Sequence, residues 1–98
     1  MVVLLLLALS APTDLSARAA FEQGSFLFKS ERFEEALPYF EVAYEKSQHR
    51  PSTIFALAQC ERKLKMYEQA IEHLEEFVRV APSRQASKAR RTLSEVRA

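Results

Sequence analysis

The feature that most constrains this chain is that it maps onto itself at an offset of 34 residues. At that offset Phe21 falls on Phe55, Lys29 on Lys63, Glu34 on Glu68, Ala36 on Ala70, Glu41 on Glu75 and Arg50 on Arg84. Conservative pairs join them: Phe33 with Tyr67, Leu37 with Ile71, Phe40 with Leu74, Gly24 with Ala58. Small residues meet small ones, and aromatics meet aromatics. A self-similar period of this length marks a supersecondary unit that cannot bury its apolar face alone and so stacks on its own copy.

The unit is helical. Phe33, Ala36, Leu37, Phe40, Ala43 and Tyr44 recur at i, i+3, i+4, i+7, i+10 and i+11, which is one stripe of an α-helix. Tyr67, Ala70, Ile71, Leu74, Phe77 and Val78 repeat the stripe. Ala20, Gly24, Leu27 and Phe28 form a face before the first stripe, and Ile54, Phe55, Leu57, Ala58 and Leu64 one before the second. Breaks are expected near residues 31, 50, 65 and 82. Thr13 or Asp14, Ser52 and Ser83 are the candidate N-caps. With one glycine and no asparagine, the chain is short of the residues that tight β-turns use. The expected fold is all-α: tandem antiparallel helix hairpins. Pro38 lies beyond the first turn of its helix and crowds the carbonyl of Glu34, so a kink on the outward face is expected there.

The period and these positions resemble the tetratricopeptide repeat (TPR), with one copy at residues 17–50 and a second at 51–84. Gly24 and Ala58 take the family's small eighth place, Phe33 and Tyr67 its aromatic seventeenth, Ala36 and Ala70 its alanine at the twentieth, and Phe40 and Leu74 its large apolar twenty-fourth. Ala43 keeps the alanine at the twenty-seventh, where the second copy has Phe77. Pro82 keeps the proline at the thirty-second, where the first copy has Gln48. Ala20 and Ile54 stand where the family favours tryptophan. The resemblance implies an α-solenoid with a right-handed superhelical twist and a concave, non-catalytic protein-binding surface. The family's ligand places fall on Arg18, Phe21, Ser25, Phe28 and Lys29 in the first copy. In the second copy they fall on Ser52, Phe55, Gln59, Arg62 and Lys63. A surface mixing aromatics with cations suits an extended or helical peptide with apolar anchors and some negative charge. Phe28 sits where core packing does not require an aromatic. The family's clamp for a C-terminal carboxylate needs a lysine at Phe21 and an asparagine at Ser25, so that activity is not implied.

Residues 85–98 complete the pattern as a basic capping helix. Ala86, Ala89, Leu93 and Val96 would cover the second hairpin, and Arg84, Lys88, Arg90, Arg91 and Arg97 face Glu95 alone. No aromatic is interleaved with these cations, which argues against nucleic acid as a partner. The groove makes a protein or peptide the expected partner; two repeats fall short of the three that usually make a stable array, so self-association or membership of a longer array is expected as well.

Catalytic chemistry finds little to work with. There is no glycine-rich phosphate loop, no nucleophile motif and a single aspartate. His73 and Glu76 stand three apart and could chelate a metal, but the plainer reading is a solvated surface, as it is for His49 in its loop. Cys60 reads as a small core residue. No cofactor is expected.

The first ten residues stand apart. Val2 to Leu9 is an unbroken apolar octet. It is too short for the roughly 20 residues of a membrane span and matches the apolar core of a secretory signal, with Ala8 and Ser10 set for cleavage after Ser10. A basic leader is missing apart from the α-amino group. Residues 1–16 are therefore expected to be a signal-type segment and linker that directs the chain to the bacterial periplasm or envelope. A truncated anchor and a buried first helix are the alternatives, and without export the chain is cytoplasmic.

Overall fold

A computed structural model describes residues 12–98, and the apolar octet lies outside the described residues. A single 3-10 turn, Pro12–Asp14, precedes five helices: α1 Ala17–Lys29, α2 Phe33–Lys46, α3 Pro51–Lys63, α4 Tyr67–Val80 and α5 Ser83–Arg97. No strand occurs among the described residues, and no helix among them is long and apolar enough to cross a membrane. Each helix packs on the next, and α1 also touches α3. The boundaries of α1 and α3 lie 34 positions apart, as do those of α2 and α4.

The two hairpin turns are the same turn made twice. At the first, Glu31 adopts φ 62°, and the amides of Glu31 and Arg32 donate back to the carbonyls of Phe28 and Leu27. At the second, Lys65 adopts φ 64°, and the amides of Lys65 and Met66 donate to Arg62 and Glu61. This left-handed C-cap favours glycine, and a side chain there costs about 1 kcal/mol or more. The link from α2 to α3 is stitched more heavily. Gln48 and His49 are both left-handed, and the His49 amide donates to the Tyr44 carbonyl at 2.9 Å. The Ser47 and Thr53 hydroxyls lie 3.0 Å apart, while the Arg50 amide donates to Ser47 Oγ at 3.1 Å.

The caps differ from expectation. Ser16, not Thr13 or Asp14, caps α1, its Oγ accepting from the Ala19 amide at 3.1 Å. Ser52 and Ser83 lie inside their helices, because Pro51 occupies the first helical position of α3 and Pro82 stands at the N-cap of α5. Proline's fixed φ and missing N–H suit a helix start, where no intrahelical acceptor is needed. Pro38 points outward as expected, and α2 runs unbroken through it.

Small residues set the helix separations. Ala20, Gly24, Ala36, Ala43, Ala58, Ala70 and Ala89 are all buried. A Cβ on Gly24 would lie 2.9 Å from two carbons of the Phe40 ring, so α1 can approach α2 this closely only because position 24 has no side chain. Around these crossings Leu27, Phe40, Leu57 and Cys60 form one apolar cluster, and Ile54, Leu74, Phe77 and Leu93 a second. α5 closes the second cluster with Ala89 and Leu93 and turns its charged residues to solvent.

Candidate functional site

Side chains of α1, α3 and α5 border a row of depressions between these helices. On α3, Ser52, Phe55, Gln59, Arg62 and Lys63 recur at helical spacing and so form a stripe. On α1, Arg18, Phe21, Ser25, Phe28 and Lys29 do the same. Neighbouring stripes are separated by valleys, and each of the ten residues lines one of four depressions there.

Two depressions lie between α1 and α3. Arg18, Phe21 and Ser52 border a cavity of about 590 Å³ with Lys46 and Arg50. Ser25, Phe28, Lys29 and Gln59 border a smaller one, about 170 Å³, floored by Phe40 and Ala56. The other two lie between α3 and α5. Ser52 and Phe55 meet Gln85 and Lys88 over Phe77 in a cavity of about 270 Å³. Gln59, Arg62 and Lys63 meet Tyr67, Glu95, Val96 and Arg97 in one of about 660 Å³.

The aromatics here have a double role. Phe21 lies 5.9 Å from Phe40 between ring centroids, and Phe55 lies 5.1 Å from Phe77. Phe28 meets Phe33 edge-on at 5.0 Å and Phe40 at 6.2 Å. All three are half-buried. Phe28 is thus not a free exposed aromatic; it seals the α1–α2 hairpin. The exposed aromatic of α1 is Phe26, at 61% exposure on the flank of the helix, which the sequence pattern did not single out.

Charge divides between the faces. Helices α1, α3 and α5 carry nine Lys and Arg against three Glu, while α2 and α4 carry two against eight. Among the three carboxylates of the first set, Glu61 is buried and turned inward, and Glu22 pairs with Arg18. Arg62 is steadied by Gln59 at 2.9 Å, and the Lys63 ammonium lies 5.8 Å from the centroid of the Phe33 ring.

His49 is exposed in its loop as expected, whereas His73 is half-buried rather than part of a solvated surface. His73 and Glu76 do not act together. His73 Nδ1 lies 2.8 Å from Glu61 Oε1 across the α3–α4 contact. The Glu61 bond raises the His73 pKa most; burial lowers it, and the charges of Glu61, Glu76 and Glu72 raise it further. Glu76 instead accepts from the Tyr44 hydroxyl at 2.6 Å and meets His49 Nδ1 at 2.7 Å. His49 is stacked on the Tyr44 ring at 3.9 Å. Burial and the Glu76 bond push the Tyr44 hydroxyl pKa upward. The two Glu76 contacts tie the first hairpin and its link to the second hairpin, while His73–Glu61 lies within the second. No group of three metal-ligating side chains occurs among the described residues. Cys60 is buried, its Sγ donates to the Phe33 carbonyl at 3.3 Å, and burial pushes its thiol pKa up to about 11. It packs as a small core residue of the first apolar cluster.

Comparison with known proteins gives one finding. The family model described as "Tetratricopeptide repeat" matches residues 27–93. Neither the curated proteins nor the solved structures gave a match.

Proposed function

Because this chain belongs to the tetratricopeptide repeat family, whose members generally mediate protein–protein interactions, we propose that it is a non-catalytic interaction module. It holds a segment of another protein on the face formed by α1, α3 and α5. The observation that carries this reading is the convergence of all ten sequence-derived residues on four adjoining depressions of that one face. A helical repeat presents such a surface without having to rearrange, so little ordering entropy opposes binding.

The test is affinity capture with the purified chain beside a Lys29→Glu variant. Lys29 is exposed, so the exchange should leave the helical circular dichroism unchanged while recovery of the captured protein falls severalfold. Equal recovery by both proteins would reject this face. Phe28→Ala is a poorer probe, because it also opens the contact with Phe33 and Phe40.

The place of action we propose is the bacterial cell envelope, supported by the apolar octet before Ser10. Mass spectrometry of the mature protein from cells should find Ala11 at the N-terminus. A chain that starts at Met1 would remove this assignment and leave the binding reading intact.

A further inference from the structure

Two of the four depressions share one chemistry. The smaller α1–α3 depression is floored by Phe40 and bordered by Phe28; the depression between α3 and the start of α5 is floored by Phe77 and bordered by Phe55. Each has one lysine on its rim, Lys29 in the first and Lys88 in the second. Both lysines are exposed, and neither has an ion pair or a side-chain hydrogen bond among the described residues. No carboxylate lines either depression. The carboxylates of the molecule are concentrated on α2 and α4 instead.

Resting on the concave-face reading above, we propose that the occupant is an acidic segment with two apolar anchors. Each anchor seats in one of these aromatic-floored depressions and is followed by a carboxylate that pairs with Lys29 or Lys88. An apolar side chain gains from leaving water for an aromatic floor. An unpaired ammonium at the edge of that floor favours a neighbouring anion and disfavours a cation. A basic or neutral segment would satisfy the floors and leave both lysines unmet.

The spacing follows from α3, which separates the two depressions. Ala56 and Gln59 line one, and Ser52 and Phe55, four positions earlier, line the other. That offset is about 6 Å along the helix, and neighbouring helices lie roughly 8–10 Å apart. The anchors are then about 10–12 Å apart by these dimensions. On an extended chain, side chains return to the same side every second residue, and of these spacings four residues, about 13 Å, come nearest to that distance. The segment therefore crosses α3 obliquely, with anchors at i and i+4.

The experiment uses three synthetic peptides with two leucines four positions apart, each leucine followed by Glu, by Gln or by Lys. Titrated into the full chain, the Glu peptide should bind at least tenfold more tightly than the Gln peptide and weaken as salt rises. A K29E/K88E double variant should lose the Glu peptide and gain the Lys peptide. Ser52→Trp, which fills one depression from an exposed position, should weaken the Glu peptide without altering helicity. Equal binding of the Glu and Gln peptides, or a double variant that keeps its preference for Glu, would overturn the proposal. So would no binding by any of the three. In each of those cases the capture comparison with Lys29→Glu shows whether only the occupant was wrong or the face as well.

Discussion

Phe40→Ala should lower the unfolding free energy by about 3–5 kcal/mol, the usual cost of emptying a fully buried phenylalanine site. Phe40 is 2% exposed and lies at the centre of the first hairpin. Its ring fills the space that the missing side chain of Gly24 leaves open, and it meets both Phe21 and Phe28. The loss would be a large share of the 5–15 kcal/mol that domains typically possess. Urea unfolding followed by circular dichroism measures it, and a midpoint shift at constant slope identifies a true stability change. Leu74→Ala, at the matching position of the second hairpin and fully buried, should cost about 2–5 kcal/mol. If Phe40→Ala cost less than about 1 kcal/mol, α1 and α2 would not be held together by this ring. The substitution also removes the floor of the smaller α1–α3 depression, so core and binding face would fail together.

How far such features could be read from the residues depends on their range. The helix spans and their interruptions follow from apolar spacing within a dozen residues, and the structure breaks at Ser30–Arg32, Ser47–Arg50, Leu64–Met66 and Ala81–Pro82. Four of the small residues at the crossings were also visible, because Gly24 with Ala58 and Ala36 with Ala70 repeat at the offset of 34. The caps were misread where proline competes with serine: Pro51 and Pro82 take the positions at the helix start and move Ser52 and Ser83 inward. Phe28 and Phe26 are two positions apart on one helix. Which of them faces the hairpin depends on where α2 crosses α1, and spacing along α1 alone does not contain that. The histidine pairs were hidden for the same reason. His73 and Glu61 are twelve residues apart, His49 and Glu76 twenty-seven, and both pairs form only when the helices dock. Within one helix the eye is drawn to His73 and Glu76 at i, i+3, and the fold sends these to different partners.

The first of those pairs carries the second large effect. Glu61 is 2% exposed, a buried acid on the inner side of α3. His73 from α4 is its bonded partner, and Glu41 from α2 raises the negative potential around it. The Glu41 pKa is itself raised, first by burial and then by Glu61, while His73 pulls it back down. His73→Ala therefore leaves a buried carboxylate with no imidazole and a second carboxylate nearby. Breaking such a pair from one side costs about 3–5 kcal/mol, whereas replacing both partners with apolar residues of similar volume is often nearly neutral. His73→Ala should thus be strongly destabilising, and the His73→Leu/Glu61→Leu double variant should recover much of the loss. The pH dependence has a definite sign. The folded His73 pKa lies above its ordinary value near 6.5, so the native state binds the imidazole proton more tightly than the unfolded chain does. The stabilisation from the charged pair is complete below that ordinary value and is lost as pH rises through the folded value. The gap between the wild-type chain and His73→Ala should therefore narrow as pH rises from 6 toward the folded value and beyond. A gap that stays constant across that range in urea titrations would mean that His73 is held there as a neutral packing group.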